Sequence, residues 1–149
     1  MRVVVQRVTH AQVEVEGQIV GRIGPGLLVL VGFCDGDDAR ALDWMAKKLA
    51  CLRLFEDGEE KMNLSVQDIG GQVLLVPQFT LYGDCRKGRR PSFTGALAPG
   101  QATLLFDQFC GLFPALGLQP QTGTFGAHMK VSLENDGPVT VVIDSPPHA

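Results

Sequence analysis

Two short segments of the sequence combine residue types that an ordinary strand or turn does not need. In Pro77-Gln78-Phe79-Thr80-Leu81, a glutamine and a threonine follow directly on the apolar run 73–76, where an apolar continuation would be ordinary. In Asn135-Asp136-Gly137-Pro138-Val139-Thr140, a Gly-Pro bond joins two β-type runs. A cis bond is accessible there, because an X-Pro bond prefers trans by only about 0.5–1 kcal/mol. A strand end and a turn would also explain both segments.

A basic cluster follows the first segment. Four cations fall within five residues, at Arg86, Lys87, Arg89 and Arg90. The whole chain has a formal net charge of −3, which argues against a protein that coats nucleic acid with a broad positive field. Any RNA contact must therefore be local. The cluster is interpreted either as such a phosphate contact or as a solvated loop that adds only solubility.

The common hydrolase and nucleotide-binding signatures are absent from the sequence. It has no G-x-S-x-G elbow, no H-E-x-x-H, no Walker loop and no G-x-G-x-x-G. Of His10, His128 and His148, only His128 falls near other candidate residues, and a histidine on the polar face of a strand is more often solvated than catalytic. The run Asp35-Gly36-Asp37-Asp38 lacks the later ligands of a calcium loop, and the four cysteines lie far apart. We expect no metal and no cofactor.

Length and composition predict one packed domain. A chain of 149 residues can bury a single core, so we expect one domain over 1–149. Hydrophobic residues make up 45% of the chain and charged residues 19%, a balance typical of globular proteins. No stretch approaches the roughly 20 apolar residues of a membrane helix, so we expect a cytoplasmic protein without a membrane partner.

The periodicity of apolar residues predicts the elements that position these segments. Alternating or continuous β-type runs predict strands at 3–8, 12–16, 19–23, 27–31, 73–76, 127–134 and 139–143, whereas 56–71 is rich in turn residues and charge. Apolar residues at helical spacing predict helices at 38–51, with Asp37 as the cap, and at 101–112. We therefore predict a single α/β domain of mixed β-sheet layers covered by two helices.

Seven segments spread along the chain carry a family resemblance. They are Gln6-Arg7-Val8-Thr9, Val13-Glu14-Val15, Lys61-Met62-Asn63-Leu64, Gln78-Phe79-Thr80-Leu81, Arg90-Pro91-Ser92-Phe93, Gln121-Thr122-Gly123 and Asn135-Asp136-Gly137-Pro138-Val139-Thr140. In order and spacing they resemble the D-aminoacyl-tRNA deacylase (D-tyrosyl-tRNA(Tyr) deacylase) family, over nearly the whole chain. Several coincident motifs at matching intervals are hard to obtain by chance. The resemblance also implies a barrel-like arrangement of the sheet.

The resemblance implies a hydrolase that cuts the ester linking a D-amino acid to the 3′ end of tRNA, and that also acts on glycine mischarged on tRNA(Ala). Such an enzyme works as a homodimer, without a cofactor and without DNA as a partner. In the family the two signature segments meet across the dimer interface. The Gly-Pro bond is cis there and projects into the partner's pocket, where it rejects L-amino acids.

Carried over residue by residue, the resemblance assigns two groups of positions. The catalytic pocket takes Gln78, Phe79 and Thr80. Substrate binding takes Gly137 and Pro138, with Arg7 orienting their loop and with Phe125 and Met129 near the terminal adenosine. The main-chain carbonyls of Gly137 and Pro138 would accept bonds from the substrate ammonium and fill the space an L side chain needs, so glycine should pass the same filter.

Two mechanisms for ester hydrolysis are open at this point. An aminoacyl ester is already activated, and the vicinal 2′-hydroxyl of the terminal ribose can assist the attack of water, so the protein needs only to position the ester and stabilise the oxyanion. The competing mechanism makes Thr80 a nucleophile. A threonine hydroxyl needs an adjacent base for that role, and the sequence names none.

One departure from the family concerns the substrate range. The first motif usually starts with serine, and this chain has Pro77 instead, which removes a hydroxyl and a backbone N–H. Proline can sit there only where no ladder bond is needed, such as a strand end. Pro77 resembles the animal-type tRNA deacylases, which act on L-alanyl-tRNA and have alanine in place of Phe79. A non-enzymatic RNA-binding protein on the same fold is the other alternative.

Overall fold

Strand β1 (Arg2–Val15) is the centre of the fold, because it pairs with three other strands. The computed structural model describes residues 1–147, so His148 lies outside the described residues. The first half of β1 pairs antiparallel with β3 (Gly26–Gly32), and its second half pairs with β2 (Gln18–Ile23). Along its opposite edge β1 pairs with β8 (Lys130–Asp144). The two strands predicted at 3–8 and 12–16 are therefore one continuous strand.

The sheet curls until its ends nearly meet. Strand β6 (Gln72–Pro77) lies parallel to β3, and the short β7 (Gln121–Thr122) lies parallel to β6, which gives the order β2-β1-β3-β6-β7. A Cβ added to Gly21 in β2 would lie 2.8 Å from the Thr122 carbonyl oxygen in β7, so these two strands are in contact. The predicted barrel-like α/β domain is confirmed.

One hairpin was missed by the sequence analysis. Strands β4 (Phe55–Glu56) and β5 (Met62–Leu64) pair within the stretch that is rich in turn residues. Asp57 organises the turn between them, since its carboxylate accepts the N–H groups of Glu59 and Lys61 and the side-chain amide of Asn63. Side-chain hydrogen bonds of this kind hold a loop that periodicity does not reveal.

Alternate residues of the central strands pack into two separate hydrophobic cores. In β3, Leu27, Val29 and Val31 pack under the helices, whereas Leu28 faces the interior of the barrel. Strand β6 divides its residues in the same way. Both faces of these strands are buried, which explains why they are continuous apolar runs in the sequence.

The two predicted helices are present with shifted ends. Helix α1 (Ala39–Cys51) is capped by Asp38, whose carboxylate accepts the N–H groups of Arg40 and Ala41. The prediction that Asp37 is the cap is wrong, because its carboxylate instead accepts the Cys34 N–H at 2.8 Å. Helix α2 (Pro99–Cys110) starts two residues before the predicted 101, since proline suits the first turn of a helix.

Two short 3₁₀ helices complete the described chain, at Phe79–Tyr82 and Pro114–Leu116. Among residues 1–147, neither α-helix has the length and apolar character that a membrane crossing requires.

Candidate active site

The first signature segment lies where β6 leaves the sheet. Pro77 is the last residue of that strand, opposite Val31, so the predicted strand-end position of the proline is confirmed. The next residue, Gln78, donates its backbone N–H to the Val31 carbonyl at 2.7 Å. The 3₁₀ helix that follows packs directly on Gly32, where an added Cβ would lie 3.1 Å from the Gln78 carbonyl oxygen. This close approach sets the position of the turn relative to β3.

A cavity of about 220 Å³ opens beside this strand end, and we call it the polar cavity. Its walls include Val76, Pro77, Gln78, Phe79, Met129 and Val131. The structure therefore brings the predicted Met129 next to the predicted Gln78 and Phe79. Strand β8 begins immediately after Met129, so the start of that strand carries this wall of the cavity.

Thr80 has no base beside it in the described part of the chain. Its hydroxyl accepts a hydrogen bond from the side-chain amide of Gln78, and it has no other hydrogen-bond partner among residues 1–147. An amide cannot take up a proton near neutral pH, so it cannot activate a hydroxyl. This arrangement favours a role for Thr80 in holding Gln78 over a role as nucleophile.

The 3₁₀ helix leaves two backbone donors free at its start. The N–H groups of Phe79 and Thr80 have no hydrogen-bond partner within the described residues, whereas the next N–H, of Leu81, bonds to the Gln78 carbonyl at 3.3 Å. The first N–H groups of any helical turn have no preceding carbonyl to bond. Free N–H groups beside a cavity can stabilise negative charge on a substrate oxygen.

A second cavity, of about 320 Å³, adjoins the first and is almost entirely apolar. The two cavities share Pro77, Phe79 and Gly126, and this apolar cavity is further lined by Phe93, Leu97 and Phe125. The predicted Phe125 and Met129 thus face two neighbouring cavities on either side of Phe79. Phe125 is supported from behind by the ring of Phe106 in α2, with centroids 6.4 Å apart.

The second signature segment is a bulge in the middle of β8, which we call the Gly-Pro loop (residues 135–139), and its residues 136–138 are exposed. The strands predicted at 127–134 and 139–143 are therefore one strand. The cis bond expected between Gly137 and Pro138 is confirmed. The side-chain amide of Asn135 donates to the Val139 carbonyl at 3.1 Å, and its oxygen accepts the Val139 N–H at 2.8 Å. Gly137 has a φ of 152°, a backbone conformation that favours glycine.

Arg7 holds the Gly-Pro loop from beneath. It is buried, with 6% of its surface exposed, and its Nε donates to the Asp136 carbonyl at 2.7 Å. Its Nη1 donates to the Leu54 carbonyl, also at 2.7 Å. Both acceptors are backbone atoms, so the guanidinium ties the loop to the segment before β4. The structure thus places Arg7 where the sequence analysis expected it, against this loop.

Within one chain, the Gly-Pro loop and the polar cavity do not meet. Arg7 pairs with Leu27 of β3, whereas Gln78 bonds to Val31, four residues further along that strand. Four residues of strand span roughly 13 Å. A cavity of about 400 Å³ beside Arg7 and Gly137 shares no described residue with the polar cavity. In this conformation the two segments can meet only if a second copy of the chain supplies one of them.

The predicted cations lie on a closed hairpin, the basic loop (residues 84–92). Asp84 and Ser92 exchange two backbone hydrogen bonds of 2.7 and 2.9 Å at its base. Asp84 neutralises Arg86, which was not predicted from the sequence: Arg86 Nη2 lies 2.7 Å from the Asp84 carboxylate. This hydrogen bond holds the pKa of Asp84 below its usual range and raises the pKa of Arg86. An acid two residues before an arginine was the signal available in the sequence.

Other candidate groups stay apart from the cavities. His128 is exposed and lines neither of them, although Met129 beside it does. Within residues 1–147, no group of three or more His, Cys, Asp or Glu side chains is arranged to hold a metal ion. The polar groups that line the polar cavity are the side-chain amide of Gln78 and backbone groups.

The sequence of this chain matches those of known proteins. A sequence model of the D-Tyr-tRNA(Tyr) deacylase family matches residues 4–144. The D-aminoacyl-tRNA deacylase of Desulfitobacterium hafniense (strain Y51) is 61% identical, over 97% of this chain and 97% of the relative. That of Chloroherpeton thalassium is 56% identical, over 98% and 97%.

Solved structures show the same fold. The chain superposes with a TM-score of 0.91 and 39% identity on the c-Myc DNA Unwinding Element Binding Protein, covering 98% of this chain and 99% of the other. A probable eukaryotic D-amino acid tRNA deacylase superposes with a TM-score of 0.82 at 23% identity, over 95% and 97%, which shows the shared fold. The family resemblance seen in the sequence is thus confirmed. The chain belongs to the D-Tyr-tRNA(Tyr) deacylase family and is a hydrolase of the D-aminoacyl-tRNA deacylase type.

Proposed function

We propose that the protein acts as a homodimer that hydrolyses D-aminoacyl-tRNA and glycyl-tRNA(Ala), with the Gly-Pro loop of each subunit completing the polar cavity of the other. One observation carries this proposal. The loop is held by hydrogen bonds and exposed at residues 136–138, yet it lies away from the polar cavity of its own chain. A loop built in this way is suited to act on a second subunit, and a two-fold axis would form two equivalent sites.

The proposed chiral filter uses main-chain atoms. The carbonyls of Gly137 and Pro138 accept hydrogen bonds from the substrate ammonium and occupy the space that an L side chain needs. A D side chain points away from them, and glycine has no side chain to exclude. A filter of this kind must keep its position when the substrate binds. The observation that supports it is that Arg7 and the Asn135 amide hold the loop by hydrogen bonds to its backbone.

The proposed chemistry is carried by the substrate as much as by the protein. Water attacks the ester carbonyl carbon with assistance from the vicinal 2′-hydroxyl, and the free N–H groups of Phe79 and Thr80 stabilise the oxyanion. The C–O bond to the 3′-oxygen then breaks and a proton from the attacking water passes to that oxygen, which releases the free amino acid and tRNA. The support is the amide partner of Thr80, which leaves its hydroxyl without a base among the described residues.

Contact with the rest of the tRNA is assigned to the basic loop. Its cations would neutralise backbone phosphates, which position a nucleic acid without reading the amino acid. Proofreading of charged tRNA accompanies translation, so the proposed place of action is the cytoplasm.

Two alternative functions are each suggested by a specific observation. Pro77 is buried and lines both cavities, so proline in place of the family's serine could extend the substrate range to L-alanyl-tRNA. A solved neighbour at 39% identity is described as a DNA unwinding element binding protein, which raises a non-enzymatic role in binding nucleic acid. A deacylation time course on D-Tyr-tRNA, L-Tyr-tRNA, Gly-tRNA(Ala) and L-Ala-tRNA(Ala) with one preparation separates these functions.

The cross-subunit part of the proposal has its own experiment. A Cβ added to Gly137 would lie 2.7 Å from the Val139 backbone nitrogen, so Gly137→Ala must displace the loop and should abolish activity. Gln78→Trp should fill the polar cavity and also abolish activity. Unfolding and refolding the two inactive variants together should restore about a quarter of the wild-type activity, because half the dimers are mixed and each mixed dimer has one intact site. Full activity of a monomer would rule the shared site out.

A further inference from the structure

Two aromatic side chains beside the apolar cavity are exposed to solvent. Phe79 is 54% exposed and Phe93 is 39% exposed. Their rings meet edge to face, with centroids 5.3 Å apart and an interplanar angle of 71°. Phe79 lines both cavities, whereas Phe93 lines only the apolar one. Phe93 therefore extends the aromatic surface away from Gln78 and Met129.

The position of Phe93 is fixed on both sides by backbone hydrogen bonds. The Asp84–Ser92 bridge closes the hairpin directly before it. After it, the Ala96 N–H bonds to the Phe93 carbonyl at 3.0 Å, and the Leu97 N–H bonds to the Phe33 carbonyl at the end of β3, also at 3.0 Å. The ring packs on the Gly83 backbone, where an added Cβ would lie 3.0 Å from ring atom Cε1. An exposed aromatic ring that is held this firmly needs little ordering when a ligand stacks on it.

The basic loop, which ends directly before Phe93, carries cations that no carboxylate neutralises within residues 1–147. Arg86 is paired with Asp84, but Lys87, Arg89 and Arg90 form no ion pair with a carboxylate within residues 1–147. Arg90 precedes Phe93 by three residues, which an extended chain spans in about 10 Å. Exposed aromatic rings next to cations that can follow a phosphate backbone are the pattern of single-stranded nucleic-acid sites.

We propose that Phe93 stacks against the base of the nucleotide immediately 5′ of the terminal adenosine of tRNA, while Arg89 and Arg90 contact the phosphates that precede it. The inference rests on the proposed function, with the terminal adenosine near Phe125 and Met129 as the family resemblance implies. From there, a single strand that runs to the basic loop passes Phe93. Stacking on a phenylalanine ring accepts any base, so the contact adds affinity for the 3′ strand without selecting the tRNA.

The test compares three substrates. They are D-Tyr-tRNA, the same tRNA with an abasic residue at the penultimate position, and D-tyrosyl-adenosine, which lacks the polynucleotide. For the wild type, removing the penultimate base should raise KM about tenfold, in line with the usual contribution of one stacked base. In Phe93→Leu, KM for D-Tyr-tRNA should rise by a similar factor, and the abasic substitution should cause no further loss. In Phe93→Leu, the loss of kcat/KM on D-tyrosyl-adenosine should be clearly smaller than the loss on D-Tyr-tRNA, and the control Phe93→Tyr should behave as wild type on all three substrates.

Two results would overturn the proposal. If Phe93→Leu lowers kcat/KM equally on all three substrates, the ring only positions Phe79. If the wild type does not distinguish the abasic tRNA from the intact one, no base stacks at this position. Failure of the proposed function gives a different result, in which the wild type hydrolyses neither D-Tyr-tRNA nor D-tyrosyl-adenosine. Stacking is then tested by measuring the affinity for uncharged tRNA. The abasic substitution should lower this affinity for the wild type and should not lower it for Phe93→Leu.

Discussion

The Arg7 guanidinium donates a hydrogen bond from Nε to the main-chain carbonyl of Asp136 at 2.7 Å. Asp136 directly precedes the Gly137-Pro138 pair, so a buried side chain of β1 determines where the Gly-Pro loop stands on β8. The same guanidinium reaches Leu54 with a second nitrogen. Its planar fork of donors suits two acceptors at once, which a lysine ammonium cannot match.

The first prediction is therefore that Arg7→Lys impairs function although the charge is kept. An ammonium can reach one of the two carbonyls, and a buried acceptor left without a partner costs about 1–3 kcal/mol. We expect a lower Tm and at least about a tenfold loss of kcat/KM on D-Tyr-tRNA. The matched control is Arg22→Lys, because the exposed Arg22 guanidinium hydrogen-bonds, within the described residues, only to the half-buried Gln12 side chain. Equal activity of Arg7→Lys and wild type would show that the loop position does not matter.

The second prediction is that Thr80→Val retains substantial activity. Valine has nearly the same shape, and the hydroxyl it lacks has the Gln78 amide as its partner and no base among residues 1–147. We expect a loss of less than about tenfold in single-turnover rate, against the roughly 10⁴-fold loss typical of an essential catalytic group. A charged tRNA that ends in 2′-deoxyadenosine lacks the assisting 2′-hydroxyl, so the wild type should hydrolyse it hardly at all. A loss on the larger scale, with tRNA binding intact, would make Thr80 part of the chemistry.

The third prediction concerns the salt dependence of tRNA binding. Replacing Arg86, Lys87, Arg89 and Arg90 with Ala should weaken binding and flatten the plot of log affinity against log salt, by about 0.7 to 0.9 for each phosphate that the variant no longer neutralises. Because Arg86 is already paired with Asp84, Arg86→Ala alone should change this slope less than Arg90→Ala does. The preference for D over L substrates should not change. A slope that is the same in all variants would show that the loop is only solvated.

The fourth prediction concerns pH and helix α1. Hydrogen bonds from the Ala41 N–H and from Arg40 hold the pKa of Asp38 below its usual value of 3.8. Since the pKa is lower in the folded state, the cap stabilises the protein above the unfolded value, and this contribution is lost as the pH falls through the folded value. Asp38→Ala should lower Tm at pH 7, with a difference that shrinks below about pH 4.

Two variants control for the loss of charge in that experiment. Asp38→Asn keeps an oxygen that can accept the N–H groups, so it should retain most of the stability at pH 7. Asp43→Ala removes an exposed carboxylate of α1 that pairs with Lys47 and caps nothing. If Asp43→Ala lowers Tm as much as Asp38→Ala does, helix charge rather than capping is the cause.

Local pattern was enough to predict most of the elements and to draw attention to Gln78 and Gly137-Pro138, whereas the other site residues were assigned by the family resemblance. The apolar runs of β3 and β6 are recognisable because both faces of these strands are buried, and α1 is recognisable because one stripe of it is buried. Gln78 and Gly137-Pro138 were found because their types are unusual next to apolar runs. These signals lie within a few residues of one another in the chain, so no long-range contact is needed to see them.

Only the tertiary structure decided how distant residues meet. Periodicity does not indicate which strands pair, so it could not show that β1 pairs with β2, β3 and β8. It also could not show that this register puts Arg7 under the Gly-Pro loop. The same register places Arg7 roughly 13 Å along β3 from the residue that Gln78 contacts. It also missed the pairing of Asp84 with Arg86 and the exposed contact of Phe93 with Phe79. The physical reason is that a residue's type limits the bonds it can make, whereas the path of the backbone determines which partner is within reach.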